Sequence, residues 1–154
     1  MVLPTVPLDE IYRDVVLDHY RSPRGRTDIA SPDAHAEGKN PLCGDEIILE
    51  INFDGDRIRE VAVKGSGCSI SVASGSMLAE LLPGKTREEA GRILEAFKGL
   101  MHGCEAPKDL DLGDLDALQG VNKFPVRVKC ALLAWITLED ALAGGGAKSK
   151  GISA

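Results

Sequence analysis

A chain of 154 residues is long enough to bury a hydrophobic core without disulfide bridges, and this length predicts one domain. Its net charge of −6 and the lack of a basic stripe argue against a nucleic-acid partner. Four cysteines are too few for a disulfide scaffold, and no stretch has the pattern of a signal peptide or a membrane span. We therefore expect a cytoplasmic protein with reduced thiols and no membrane partner.

The first predicted element is a helix that begins after Asp9 and ends before Pro23 and Gly25. Ile11, Tyr12, Val15, Val16 and His19 recur at helical spacing in it, and capping or surface roles are expected for His19. A loop rich in proline, aspartate and glycine follows, and a short strand is expected over residues 33–38.

The next segment alternates apolar and polar residues with a period of two, which is typical of a strand with one buried face. Ile47, Leu49, Ile51 and Phe53 are expected on the buried face. Gly55, after Asp54, supplies the positive φ that a tight hairpin turn requires, and residues 58–64 return as the second strand. Cys43 precedes this hairpin and Cys68 follows it, so the pairing of the strands should bring both cysteines to one edge of the sheet.

Helical spacing returns over residues 70–81, with Cys68 or Ser69 at the helix N-terminus, where free N–H groups favour a thiolate. Thr86 opens a capping box for a third helix that ends near Gly103. After a polar segment and a short turn over 115–119, Pro125 opens the last helix, which carries Cys130 in its second turn.

Strands followed by helices indicate an α+β fold, a small antiparallel sheet with helices packed on one face. We expect one domain over residues 1–154, with flexible termini at about 1–7 and 144–154. If the last helix packs with its first turns at the sheet edge, Cys130 joins Cys43 and Cys68 there, and Asp45 adds a carboxylate. Three thiolates and a carboxylate form a four-coordinate site of the kind that zinc accepts.

Four stretches of the sequence resemble the SufU branch of the IscU/NifU-N family, which serves iron–sulfur cluster biogenesis. The stretches are 18–24 (DHYRSPR), 40–45 (NPLCGD), 65–71 (GSGCSIS) and 124–131 (FPVRVKCA). The resemblance covers the chain from about Leu8 to about Leu142 and implies the IscU/SufU-like fold.

By this resemblance Cys43, Asp45, Cys68 and Cys130 would bind Zn²⁺, and Cys43 would accept sulfur from the persulfide of a SufS-like cysteine desulfurase. A histidine of the desulfurase would replace Cys43 on the zinc, and Arg127 would tune the thiolates. The expected activity is that of a sulfurtransferase which delivers sulfur to downstream iron–sulfur scaffold proteins. A zinc-bound thiolate is quenched as a nucleophile, so release of one ligand would create a reactive sulfur only when the donor docks.

Two other functions are open at this point. The same ligands could assemble a transient [2Fe–2S] cluster, as in IscU scaffolds, or the zinc could only stabilise an interaction module. Lys129 stands where the IscU scaffolds carry a histidine, which favours the sulfur acceptor over the scaffold. His102 and Cys104 suggest a metal pair, but Cys104 has no place in the family pattern, and we expect it at a helix end.

Overall fold

The computed structural model describes residues 10–144 and 150–151, so the predicted cap at Asp9 lies outside the described residues. The predicted flexible termini, about 1–7 and 144–154, also lie outside the described residues except for residues 144, 150 and 151. In chain order the elements are α1 (Glu10–Arg21), β1 (Ala34–Asn40), β2 (Asp45–Asp54), β3 (Arg57–Ser66), α2 (Ser69–Leu81), α3 (Arg87–Met101), a 3₁₀ helix (Gly113–Lys123), α4 (Pro125–Gly144) and β4 (Lys150–Gly151). No helix in the described ranges has both the length and the hydrophobicity to cross a membrane.

The sheet has the strand order β3-β2-β1-β4, with β1, β2 and β3 antiparallel and the two-residue β4 parallel to β1. The predicted hairpin is confirmed, since Asp54 pairs with Arg57 and Gly55 has a φ of 63°. Helices α2 and α4 pack against the sheet, and the α+β fold class is therefore confirmed. Among the described residues, the other face of the sheet carries polar, partly exposed side chains, and there His35 contacts Glu37 and Glu50.

The alternation predicted for β2 holds as far as Ile51, which is fully buried. A register shift between Asn52 and Phe53 then breaks the period of two. Asn52 is buried instead of solvent-facing, because its Oδ1 accepts the Asp33 N–H at 2.9 Å. Phe53 is only half-buried and lies under the guanidinium of Arg87, at 3.7 Å from the ring centre.

Helix α2 is buried on almost every side, so its burial extends beyond the helically spaced apolar residues that predicted it. It packs between α1 and α4 and against β3, and its alanine, serine and glycine residues allow these close approaches. A Cβ on Gly75, for example, would lie 2.9 Å from Val63 Cγ1. Ser74 Oγ donates to the Ala131 carbonyl at 2.6 Å and accepts the indole N–H of Trp135 at 3.2 Å, which ties α2 to α4.

The segment before α4 is more regular than predicted. The sequence indicated a short turn over 115–119, but a 3₁₀ helix runs from Gly113 to Lys123. Leu115, Leu118 and Val121 are fully buried at a spacing of three, the period of a 3₁₀ helix. Helix α3 begins as predicted, with the side chain of Thr86 and that of Glu89 forming a reciprocal capping box.

His19 joins α1 to α2 and to the 3₁₀ helix, although its place in the sequence suggested capping or surface roles. The ring is fully buried, with Nδ1 at 2.7 Å from Ser76 Oγ and Nε2 at 2.7 Å from Asp114 Oδ2. The ligand atoms of His19, Asp114 and Glu80 lie within 4.8 Å of one another, a spacing that a metal could use. Arg24 already supplies a cation here, because its Nε donates to Glu80 Oε2 at 3.1 Å. We therefore interpret the cluster as a structural network.

We predict that His19→Ala lowers the free energy of unfolding by about 2–3 kcal/mol, because it removes one buried and one partly buried hydrogen bond and leaves a void. His35→Ala is the matched control. His35 also contacts two carboxylates, but on the solvated face of the sheet, so its loss should change stability by at most about 0.5 kcal/mol. Urea denaturation of the three proteins measures both effects, and equal stability of the two variants would contradict the assignment.

Candidate metal centre

The loop that carries Cys43 closes the end of the β1–β2 ladder, where Asn40 pairs with Asp45. Two hydrogen bonds to Asn40 shape the loop. The Leu42 N–H donates to Asn40 Oδ1 at 3.2 Å, and the Cys43 N–H donates to the Asn40 carbonyl at 3.2 Å. Gly44 has a φ of 69°, a conformation that glycine adopts without strain. The loop is therefore a tight turn that holds a half-buried Cys43 beside an exposed Leu42.

Asp45 links the sheet to the start of α2. Its side chain is almost completely buried, and Oδ1 accepts the backbone N–H of Cys68 at 2.8 Å. The other oxygen, Oδ2, lies 4.0 Å from Cys68 Sγ. This approach depends on Gly67, because a Cβ there would lie 2.3 Å from Asp45 Oδ1.

The sequence placed either Cys68 or Ser69 at the N-terminus of α2, and in the structure Cys68 is the N-cap residue. A hydrogen bond from the thiol of Cys130 contributes most to lowering the pKa of Cys68 to about 6, and the backbone N–H groups of Ser71 and Ile70 add to the effect. Burial and the negative charge of Asp45 oppose the shift without cancelling it. Cys68 is therefore a thiolate at neutral pH.

Cys130 lies in the second turn of α4 and is fully buried. Its Sγ is 3.1 Å from Cys43 Sγ and 3.8 Å from Asn40 Nδ2, which donates to it. The pKa of Cys130 is raised, first because its proton is held by the Cys68 thiolate and then because the side chain is buried. The packing of the last helix against the sheet edge, which the sequence argument assumed, is present.

Arg127 faces the three sulfur atoms from the first turn of α4. Burial alone would lower its pKa, but attraction to Cys68, Cys130 and Cys43 outweighs burial and raises the pKa. The guanidinium is therefore the positive charge beside the thiolates. Lys129 behaves differently, because it lines a groove with Met101 and Leu132 between α3 and α4.

The ligand atoms of Cys43, Asp45 and Cys130 all lie within 4.8 Å of one another. Two ligands of one zinc ion lie within about 4.6 Å, twice the Zn–S bond length, so these residues fit a metal with little adjustment. The Sγ of Cys68 lies outside this trio but next to Asp45 and Cys130, and could complete four-coordination.

The sequence did not predict two features of this site, the amide of Asn40 and the space made by Gly67. Neither asparagine nor glycine is a residue type that marks a metal ligand.

His102 and Cys104 belong to neither group of metal-capable side chains that the described residues contain. His102 follows the last turn of α3, and its Nδ1 contacts the Lys98 carbonyl at 2.7 Å. Cys104 is exposed just beyond it. The expected helix-end position is therefore correct.

Comparison with known proteins gives consistent matches over most of the chain. The family described as the NifU-like N terminal domain matches residues 11–142. The zinc-dependent sulfurtransferase SufU of Bacillus subtilis (strain 168) is 43% identical over 136 residues, which cover 88% of this chain and 92% of that protein. The iron–sulfur cluster assembly scaffold protein IscU of Streptococcus pyogenes serotype M1 is 40% identical over 135 residues, with 88% and 84% covered.

Solved structures agree with these sequence matches. The crystal structure of a putative iron–sulfur cluster assembly scaffold protein for the SUF system from Fervidobacterium islandicum AW-1 superimposes with a TM-score of 0.80 at 38% identity. The alignment covers 84% of this chain and 94% of that one.

We predict that Gly67→Ala lowers zinc affinity by about tenfold or more, because the added methyl group would displace the Asp45 carboxylate. Gly91→Ala is the control, since a Cβ on Gly91 meets no atom within 4 Å. Competition with a chelating dye measures the affinity. Equal zinc binding by both variants would show that the position of Asp45 does not matter to the site.

We also predict that Cys68 of the metal-free protein is alkylated by iodoacetamide with half-maximal rate near pH 6, where its pKa lies. Because the pKa is lowered, the thiolate dominates at pH 7, and the rate falls as the pH drops through the pKa. Mass spectrometry of the peptide containing Cys68 follows the rate. In urea the midpoint should move to about 8.5, the value of an unperturbed cysteine, and an unchanged midpoint would contradict this assignment.

Proposed function

The chain belongs to the NifU-like N-terminal domain family of iron–sulfur cluster assembly proteins, and from this premise we propose that it is a zinc-dependent sulfur acceptor. Its sulfur would come from the persulfide of a cysteine desulfurase and pass on to downstream iron–sulfur scaffold proteins. One observation carries the proposal. Cys43 is a half-buried thiol on a loop, in contact with a fully buried helical thiol, so one sulfur can be reached while its neighbour is held.

We assign Cys43, Asp45, Cys68 and Cys130 as the residues that would hold zinc. Bound zinc keeps thiols deprotonated at neutral pH. Asp45 and Cys68 support each other in this role, because the hydrogen bond from the Cys68 N–H orients the carboxylate. Arg127 offsets the excess negative charge of three thiolates and one carboxylate.

Cys43 is the ligand best placed to accept sulfur. Cys68 is fixed at the N-cap of α2, and Cys130 is enclosed within α4. Cys43 instead lies next to Leu42, a residue that is 63% exposed, and Val126 is 53% exposed in the first turn of α4. These two apolar side chains could contact the desulfurase as its persulfide approaches Cys43.

Transfer of the outer persulfide sulfur to Cys43 needs no added oxidant or reductant. The Cys43 thiolate attacks the outer sulfur of the desulfurase persulfide and forms a new S–S bond. The S–S bond of the donor breaks, and the donor cysteine leaves as a thiolate. Arg127, which already faces the Cys43 sulfur, would stabilise the negative charge of the resulting Cys43 persulfide.

A second candidate function is assembly of a [2Fe–2S] cluster on the same side chains. It is favoured by the name of the Streptococcus pyogenes relative, which is an assembly scaffold protein at 40% identity. Thiolates also ligate iron–sulfur clusters, so the donor set alone does not separate the two functions. Lys129, directly before Cys130, lines the groove between α3 and α4 with Met101, and an ammonium group offers no extra ligand.

We predict that desulfurase turnover rises when this protein is added and that Cys43→Ala abolishes the rise, because no thiolate remains to take the sulfur. Cys104→Ala is the matched control, an exposed cysteine outside the cluster, and should behave as the unmodified chain. Mass spectrometry should find the persulfide on Cys43. Persulfide on Cys104 and none on Cys43 would overturn the assignment.

The same preparations separate the two candidate functions. Anaerobic incubation with ferrous iron and sulfide should give no stable coloured species if the protein is a sulfur acceptor. A stable [2Fe–2S] absorption spectrum that passes to an apo-ferredoxin, together with no effect on desulfurase turnover, would favour the scaffold.

A further inference from the structure

Asn40 is a buried polar side chain beside the proposed metal site, yet it is not one of the proposed ligands. It is the last residue of β1, is fully buried, and pairs across the ladder with Asp45. A carboxamide has one acceptor oxygen and two donor hydrogens, and burial makes an unpaired donor costly. The partners of this amide therefore indicate its role.

The two ends of the amide contact different parts of the site. Oδ1 accepts the Leu42 N–H at 3.2 Å and so helps to shape the loop before Cys43. Because a backbone N–H needs an acceptor, this contact orients the amide and directs Nδ2 to the other side. There Nδ2 lies 3.8 Å from Cys130 Sγ, a distance suited to an N–H···S hydrogen bond.

Such a bond favours the charged form of the sulfur, because a thiolate is a stronger acceptor than a thiol. It also holds the sulfur in position without using a metal coordination site, the role that outer-sphere hydrogen bonds have in metal sites. The Cys43 N–H donates to the carbonyl of the same residue, so Asn40 contacts the backbone of one cysteine and the sulfur of the other.

We propose that Asn40 is a positioning residue whose amide N–H holds the Cys130 thiolate as a ligand of the metal. This inference rests on the proposed zinc site and adds to it a reason why the two adjacent cysteines differ. Asn40 donates a hydrogen bond to the sulfur of Cys130, whereas it contacts Cys43 only through the backbone.

Two substitutions separate the sulfur contact from the loop contact. Asn40→Asp keeps an oxygen for the Leu42 N–H but puts a carboxylate oxygen against the Cys130 sulfur. Asn40→Ser keeps a short acceptor for the turn, adds no charge and is too short to reach the sulfur. Both variants lose the N–H···S bond by different means, so the comparison does not depend on either one folding perfectly.

Asn52→Asp is the matched control. Asn52 is also buried, its Oδ1 also accepts a backbone N–H, and its Nδ2 donates to Glu60 at 3.2 Å. The substitution therefore creates a similar carboxylate contact in the same sheet, away from the cysteines. It should lower stability while leaving the metal site unchanged.

The experiment loads each purified protein with Co²⁺ and records the sulfur-to-cobalt charge-transfer band, then measures Zn²⁺ affinity by chelator competition. An N–H···S bond withdraws electron density from the thiolate, so its loss should move the band to lower energy in Asn40→Ser and Asn40→Asp. Zinc affinity should fall about tenfold or more in both, and most in Asn40→Asp because of the added charge. Asn52→Asp should match the unmodified protein in both readouts.

A band and an affinity unchanged in Asn40→Ser would overturn the inference, as would the same shift in Asn52→Asp. Persulfide transfer to Cys43 with an unaffected cobalt band would refute the role of Asn40 and leave the proposed function intact. A shift confined to the Asn40 variants, without any persulfide on Cys43, would support the role of Asn40 and refute sulfur transfer.

Discussion

The hydrogen bond from the Cys68 N–H to Asp45 Oδ1 joins the two halves of this molecule, the sheet and the helices that cover it. The N-terminus of α2 presents free N–H groups and the positive end of the helix dipole, and a buried carboxylate at the start of β2 is the matching acceptor. Because α2 is the helix buried on almost every side, this contact positions the central helix relative to the sheet edge. The proposed metal site is built around the same carboxylate.

Close packing of backbone segments is the second requirement at this edge. Gly67 lets Asp45 approach α2, and Gly65 lets β3 approach β2, where a Cβ would lie 2.0 Å from the Glu46 carbonyl oxygen. A side chain at Gly67 would push Asp45 away from α2, and one at Gly65 would separate β3 from β2. The glycines around Cys68 therefore act through the absence of a Cβ, which leaves room for Asp45 and for the backbone of β2. Their role becomes clear only when these neighbouring groups are known.

The three clustered cysteines differ because of the elements that carry them. Cys68 has helix N–H groups around its sulfur, Cys130 is enclosed by α4 and receives the Asn40 amide, and Cys43 lies on a turn at the surface. Arg127 lies beside all three and balances their charge. A sulfur acceptor needs cysteines that differ in accessibility, since one thiolate must become available while the others keep the site intact.

The sequence by itself determined the local structure, because helical and strand periods, caps and turns depend on neighbouring residues. The hairpin turn at Gly55, the capping box at Thr86 and a helix N-terminus at Cys68 or Ser69 could all be predicted in this way. The three relevant cysteines could also be selected from their sequence contexts and from a family resemblance. Sequence contexts depend on residues that are close together in the chain, and the family resemblance depends on a known sequence pattern. Neither requires the three-dimensional contacts.

The tertiary structure alone decided which of these side chains touch. The sulfur atoms of Cys43 and Cys130 meet across 87 positions of the chain, and no local period encodes the packing of α4 that brings them together. The burial of His19 and of Asn40 likewise depends on segments remote in sequence, the 3₁₀ helix in one case and α4 in the other. A polar residue is recognised as part of a site or a core only when its partners are known, and those partners are supplied by long-range packing.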